Sequence, residues 1–331
     1  MTTEATPSRS YFIVGGAGFI GGHFSDRLLA EPGVHMVRVY DNFSSGREFH
    51  VAAHYDDERF SVVRDDVGNI GALCHAMDGY DTVIHLASNP DIAAAVKNPM
   101  IDFDQGTLLT QNVVEAMRRT GARQILYASG SGVYGDLGEF EAYEDYGPLI
   151  PTSTYGASKL AGEALIASYC AMFGLTGCAF RFGNVVGPRQ THGVGFDFLR
   201  QLLVDDATPK ILGDGRQSKS YIHVSDVIAA VLMAARASSD AFSVYNVATG
   251  DYVSVSEIAE LAIAAMGLSP KEVQLHFTGG DRGWKGDVPI VRLNNDRIRG
   301  LGWLNVMNTR EALASSLDAM LVDFRNGDLS L

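Results

Sequence analysis

Apolar positions along the chain switch repeatedly between two periods. Residues 11–14, Tyr-Phe-Ile-Val, form a continuous apolar run that stops at two glycines, and beyond Gly18 the apolar residues Phe19, Ile20, Phe24, Leu28 and Leu29 fall three or four apart. The first spacing is that of a strand and the second that of a helix. A second strand-like run, residues 36–40, ends at Asp41, and a third covers residues 60–64. Residues 81–87, with Val83, Ile84, Leu86 and Ala87, read as a fourth strand, mostly apolar as a parallel strand covered on both faces should be. A helix is expected from Asn69. A longer one over residues 99–120 carries Leu108, Leu109, Val113, Val114 and Met117 on one side, and residues 124–129 read as a fifth strand. Strand alternating with helix predicts a doubly wound parallel sheet with right-handed crossovers. Ligands of such sheets bind beyond the carboxyl ends of the strands, which gathers residues 15–18, Asp41, residues 87–89 and residues 129–131 along one edge.

The second half reads as a loop over residues 135–151, a helix over 154–173 and a sixth strand over 176–185, followed by Gly187-Pro188-Arg189. The order then becomes irregular, with short strands near 210–212 and 221–223, a helix over 227–236, a strand at 245–248, and helices over 255–266 and 310–325. Internal repeats and low-complexity linkers are lacking. The expected architecture is α/β: a Rossmann-like doubly wound parallel sheet over residues 1–184, and a smaller C-terminal α/β substrate lobe over 185–331 whose boundary interleaves near Asn184. Residues 1–10 are polar and are expected to be loose.

Composition narrows the partners. The 331 residues suffice for one large α/β domain with an appended lobe. A formal charge of −13, from 39 acids against 26 bases without a basic tract, argues against a nucleic-acid surface and leaves any anionic ligand to local donors. No apolar stretch approaches the roughly 18 residues of a membrane span, and residues 1–9 lack the layout of a secretory signal, so no membrane association and a cytoplasmic location are expected. Cys74, Cys170 and Cys178 lack Cys-x-x-Cys spacing and sit in apolar contexts, which reads as core thiols. The nine histidines are scattered, and nothing supports a catalytic metal.

Candidate chemistry begins at Gly15, Gly18 and Gly21. The first permits a sharp turn, the second lets a pyrophosphate approach the backbone, and the third lets helix and strand pack closely. The helix starting at Phe19 and Ile20 then presents free N–H groups and its positive dipole end to phosphates. Asp41 lies twenty residues beyond Gly21, where a carboxylate can accept bonds from the adenosine ribose hydroxyls. That favours NAD over NADP, since a 2′-phosphate would meet a negative charge and Arg38 lies within the strand. Asn42, Phe43, Ser44, Ser45 and Gly46 can continue around the adenosine. In Asp65-Asp66-Val67 one acid, Asp66 by preference, meets the adenine amino group or else caps the helix from Asn69. Leu86, Ala87, Ser88 and Asn89 end the fourth strand with residues small enough for a cofactor to cross the sheet edge.

Of thirteen tyrosines only Tyr155 has a lysine, Lys159, four residues later, which places the two on one helix face. A phenol near pKa 10 becomes a base at neutral pH only if nearby cations favour phenolate, at about 1.4 kcal/mol per unit. The ammonium and a positive nicotinamide together can meet that demand. The alternative is an ordinary helix-surface pair.

With these motifs the chain resembles the extended short-chain dehydrogenase/reductase family, and within it the NAD-dependent nucleotide-sugar epimerases and dehydratases. The resemblance rests on residues 15–21 (Gly-Gly-Ala-Gly-Phe-Ile-Gly), 41–46 (Asp-Asn-Phe-Ser-Ser-Gly), His85-Leu86-Ala87, Val133-Tyr134-Gly135, Tyr155-Gly156-Ala157-Ser158-Lys159, residues 181–185 (Arg-Phe-Gly-Asn-Val) and Tyr221-Ile222-His223-Val224. It implies bound NAD, Tyr155 as catalytic base, Lys159 on the nicotinamide ribose, and Asn184, Lys219 and Arg282 facing the diphosphate or sugar of a UDP-sugar. Residues 280–287, ending at Asp287, resemble the stretch that grips the nucleotide in UDP-glucose 4-epimerase relatives. Lys219 stands where relatives usually carry arginine and supplies charge without a bidentate fork, and Arg216 can assist it. Arg189, Ser88, Thr152 and Ser153 are candidates for the substituent at sugar carbon 6. Homodimerisation is implied through helices holding residues 107–118 and 155–169.

The departure is Gly130, four residues before Tyr134, where relatives usually have the serine or threonine that bonds the reacting sugar oxygen. Ser129 or Ser131 can substitute, a water can fill the gap, or the site is impaired. Dehydrating relatives carry Asp and Glu directly after that position, and decarboxylating ones tend to carry the glutamate; here those places hold Ser131 and Gly132. The resulting expectation is carbon-4 epimerisation of a UDP-sugar by transient hydride transfer. A dehydratase or decarboxylase of similar sugars, and a non-catalytic NAD-binding sensor, remain as alternatives.

Overall fold

The computed structural model of the chain describes residues 9–204, 208–269, 271 and 273–329. Of the N-terminal stretch expected to be loose, residues 1–8 lie outside the described residues, and Arg9 and Ser10 already belong to the first strand. The central element is a seven-stranded parallel sheet of β1 (Arg9–Val14), β2 (Val34–Asp41), β3 (Phe60–Arg64), β4 (Thr82–His85), β5 (Gln124–Ala128), β6 (Thr176–Phe182) and β7 (Phe242–Val247). Its spatial order is β7-β6-β5-β4-β1-β2-β3, so the winding direction reverses between β1 and β4. A doubly wound sheet opens a crevice at that point. The helices α1 (Phe19–Leu29), α2 (Ile70–Met77), α3 (Leu108–Thr120) and α4 (Thr154–Phe173) connect the strands.

Two compact units emerge. The first comprises Met1–Ser129, Ser158–Phe180 and Ala235–Val244; the second comprises Gly130–Ala157, Arg181–Ala234 and Tyr245–Leu331. The division thus interleaves further than a boundary near Asn184 implies, with residues 130–157 packing in the second unit. In the first, Phe12, Val14, Tyr40, Leu73, Met77, Val83, Val113, Met117, Ile125, Tyr127 and Ile166 form one buried cluster between strands and helices. Cys170 belongs to it, Cys178 is buried on β6, and burial pushes both thiols up to about 11. Cys74 is only half-buried on α2, against the same cluster.

Two expected elements take a different form. The helix over residues 99–120 contains a π turn, Phe103–Thr107, before α3. Gly106 within that turn has no room for a side chain, because a Cβ there would lie 2.7 Å from Ser158 Oγ. The strand over 176–185 divides at Gly183: β6 stays in the sheet, and Asn184–Val186 pairs in parallel with Tyr221–His223 in the second unit. Besides further short strand pairs, such as Ser218–Lys219 with Val253–Ser254, that unit holds the helices Val194–Val204, Val255–Ala265 and Thr309–Asn326. Ser254 with Glu257, and Asn308 with Glu311, form capping boxes that start the last two. Trp303, fully buried, donates Nε1–H to the Asp226 carbonyl at 3.0 Å and anchors the chain before the final helix.

Candidate active site

The glycine turn lies at the crevice between β1 and β4, in the first unit. Gly15 has φ +78°, and a Cβ on it would lie 2.6 Å from the Ala87 nitrogen, so only glycine lets the turn approach the end of β4. Gly21 abuts the Gly16 backbone, 2.5 Å from where its own Cβ would be. Gly18 differs: its nearest neighbour would be Gly15 O at 3.5 Å, and as N-cap of α1 it provides no side-chain cap, with no acid in the first turn. The helix end is thus open toward an anion. These are the three roles a pyrophosphate cradle needs.

Asp41 closes the cradle from β2. Its Oδ2 accepts from Ala17 N–H at 2.9 Å and its Oδ1 from Phe43 N–H at 2.8 Å, fixing the carboxylate beside the turn. Burial raises its pKa, and the two backbone bonds oppose that rise. Gly46 packs on Ala17, Ser44 N–H donates to Asn42 Oδ1, and Asn42 Nδ2 donates to Asp66 Oδ2 at 2.7 Å. The adenosine candidates therefore form one connected surface. Asp66 does not cap α2: Asn69 does so itself, accepting from Ala72 N–H, while Asp66 Oδ1 takes Gly68 N–H. Val67 is buried, and Leu86 and Ala87 both donate N–H to Val14 O, binding the end of β4 to that of β1. Half-buried Ser88 follows them. Arg38, on β2, is engaged by Ser61 Oγ on β3 and by the Ala76 carbonyl on α2. Sequence reading missed His50, fully buried, whose Nδ1–H donates to Ala17 O at 2.7 Å; no periodicity or spacing singles it out.

Tyr155 and Lys159 lie one turn apart on α4. Lys159 is buried, donates to Ala128 O at 2.8 Å, and has its Nζ 5.2 Å from the Tyr127 ring centre. Tyr155 is half-buried, and Gly156 beside it has no space for a Cβ because the Gly132 carbonyl occupies it. The first turn of α4 thereby rests on the short helix Ser131–Tyr134.

The two serines flanking Gly130 differ. Ser129 is buried and donates its hydroxyl to buried Glu163 Oε1 at 2.5 Å, a short bond that already uses its only proton. Ser131 is half-exposed, and its hydroxyl has no hydrogen-bond partner among the described residues. Gly130 itself is extended, with φ −168°, and a Cβ there would meet nothing within 4 Å.

In the second unit Lys219, Arg282 and Asp287 come together. Lys219 Nζ lies 2.7 Å from Asp287 Oδ1, and Arg282 Nη1 donates to the Asp287 carbonyl. Arg282 Nη2 also pairs with Asp136 Oδ2 at 2.7 Å, a hydrogen bond that raises the guanidinium pKa. Asn184 donates Nδ2–H to Ser220 O, whereas Arg189, at φ +63°, gives its N–H to Asp323 Oδ2. Arg216 is exposed. Asp136 was not singled out by the sequence, although it directly follows the Val133-Tyr134-Gly135 motif.

A parallel sheet with an open glycine cradle at its switch point, an acid at the end of β2 and a Tyr-x-x-x-Lys helix define a dinucleotide-dependent enzyme. Residues 11–248 match the NAD dependent epimerase/dehydratase family, and the chain belongs to it; its cofactor is NAD. It is 31% identical over 314 residues to a UDP-glucose 4-epimerase of Mycolicibacterium smegmatis, covering 92% of this chain and 96% of the relative. A dTDP-glucose 4,6-dehydratase of Actinoplanes sp. is 30% identical over 77% of this chain and 81% of its own length. The solved UDP-glucose 4-epimerase of Thermus thermophilus in complex with NAD superposes with a TM-score of 0.82 at 30% identity, covering 94% of this chain and 99% of that one. Among the described residues, no helix is long and apolar enough to cross a membrane.

Proposed function

We propose that the chain is a cytoplasmic UDP-sugar 4-epimerase that retains NAD. The observation that carries this reading is the segment after β5. Elimination of water needs an acid to reach the departing hydroxyl, but residues 130–135 contain none, and Gly132 is packed against Gly156. The next acid, Asp136, is paired with Arg282. The side chains this reading uses are one phenol, one ammonium and the Ser131 hydroxyl, a set suited to proton removal and return.

In this reading Gly15, Gly18, Phe19, Ile20, Gly21 and Asp41 hold the dinucleotide, and Asn42, Ser44, Gly46, Asp66, Val67, Leu86, Ala87 and Ser88 border it. NAD, when bound, supplies the hydride acceptor and the donor for the return step. Tyr155 takes the proton of the sugar 4-hydroxyl, and Lys159 favours the phenolate and binds the nicotinamide ribose. Ser131 donates its hydroxyl to the reacting oxygen. Lys219 and Arg282 tether the diphosphate, Asp287 orients both cations, and Asn184 and Arg189 face the substrate, so the sugar can turn its other face before Tyr155 returns the proton. Exposed Met100, Phe103, Leu108, Met172 and Phe173 on and beside α3 and α4 supply a homodimer surface, which a monomeric mass by light scattering would reject.

Purified protein given UDP-glucose, UDP-galactose or UDP-hexuronates without added cofactor is expected to interconvert C4 epimers, and Tyr155→Phe to abolish this. Return of every sugar unchanged would refute the proposal, and a new keto-sugar or pentose mass would assign dehydration or decarboxylation instead.

A further inference from the structure

Lys159 is a buried cation that donates to a neutral carbonyl, Ala128 O. A charge so placed needs a counter-charge. The groups facing it come from several elements. On β4, His85 is fully buried, with Nε2 3.0 Å from Thr110 Oγ1 and no partner on Nδ1; burial, and then the Lys159 charge, push its pKa down to about 3, so it is neutral. On β5, Tyr127 offers its ring face. On α4 itself Tyr155 lies one turn before and Glu163 one turn after, the latter accepting from Ser129. A further acid, Asp102, enters just before the π turn. It is 1% exposed, and Asn89 Nδ2 donates to its Oδ1 at 2.9 Å. The lack of a side chain at Gly106 lets the same turn close onto Ser158, next to Lys159.

We propose that Asp102, clamped by Asn89, is the buried counter-charge that keeps Lys159 protonated, and so is a positioning residue for the catalytic pair. The electrostatics agree in direction: burial lowers Lys159 to about 8, and the Asp102 carboxylate is what opposes that fall. Functionally, this inference rests on the role assigned to Lys159 above. It adds that the upper pH limit of that role is set by a residue 57 positions earlier, far from the glycine, Asp41 and Tyr-x-x-x-Lys motifs.

The chain has six lysines, which makes carbon-13 NMR of ε-labelled lysine resolvable, with Lys159 assigned by its loss in Lys159→Arg. The Lys159 resonance of Asp102→Asn, measured on cofactor-free protein, is expected to titrate about one pH unit lower than in the parent. Glu163→Gln should move it less. If Asp102→Asn does not fold, Asp102→Ser, also neutral, carries the same measurement. In turnover, the alkaline limb of the pH profile should move to lower pH in the Asp102 variant. An unchanged Lys159 titration, or a larger shift in Glu163→Gln, would overturn the proposal. The NMR reading needs no sugar, so a chain that fails to epimerise yet shows the shift refutes the proposed function and not this inference.

Discussion

Replacing Ser131 with alanine separates the two serines that flank Gly130. Its hydroxyl has no partner among the described residues and is half-exposed, so its loss should change stability by no more than about 0.5 kcal/mol. As a donor to the reacting oxygen it is worth about 10²–10³ in kcat, or about 2.7–4 kcal/mol of barrier. Ser129→Ala should do the opposite. It removes one buried hydrogen bond to Glu163, costing about 0.5–1.5 kcal/mol of folding stability, and leaves kcat of the folded fraction largely intact. Gly130→Ser is the rescue: its φ of −168° suits any residue and its Cβ direction is empty, so the substitution should stabilise by about 0.4–1 kcal/mol. In the Ser131→Ala background it should also recover part of the lost rate. Steady-state interconversion of UDP-glucose and UDP-galactose gives kcat, and urea unfolding of the same samples gives stability. Full turnover in Ser131→Ala, or loss of turnover without loss of stability in Ser129→Ala, would refute the assignment.

Three further outcomes are expected. His85 is neutral when folded, at about 3, and near 6.5 when unfolded, so the unfolded chain binds the extra proton and stability falls as pH drops from about 6.5 toward 3. The loss should reach about 2 kcal/mol by pH 5, and His85→Gln should flatten that slope in denaturant titrations at pH 5 and 7. Gly15→Ala drives a Cβ to 2.6 Å from the Ala87 nitrogen at a positive φ, and should cost more than about 1 kcal/mol of stability and abolish NAD binding measured by calorimetry. Asp136→Asn removes the carboxylate that competes for Arg282, and should lower the KM for a UDP-sugar several-fold; a raised KM would mean that Asp136 orients the guanidinium for the diphosphate.

Much of this was legible because it is local. β3 and α4 fall where their apolar periods put them, and the glycine turn, Asp41 and the Tyr155–Lys159 pair are spaced by the elements that carry them. What escaped depends on distant partners. Nothing near Asp102 indicates that it meets the field of Lys159, and nothing near Glu163 shows that it takes the Ser129 proton. The sixth strand looks continuous because Gly183 resembles any strand glycine, yet there the chain leaves one sheet for a pairing with residues 221–223. Residues 130–157 read as part of the first domain for a similar reason: the contacts that place them in the second, such as Tyr134 Oη to Asn246 Oδ1 at 2.8 Å, lie over a hundred positions away.

Gly106 acts as a spacer whose thickness is one hydrogen atom. A methyl group there would have to displace Ser158 Oγ and Cβ, which it would meet at 2.7 and 2.9 Å, and would wedge the π turn from the helix that bears the ammonium. On the proposed pairing of Asp102 with Lys159, thickening that wedge with Gly106→Ala is expected to bring the alkaline limit of turnover to lower pH without altering either charged group.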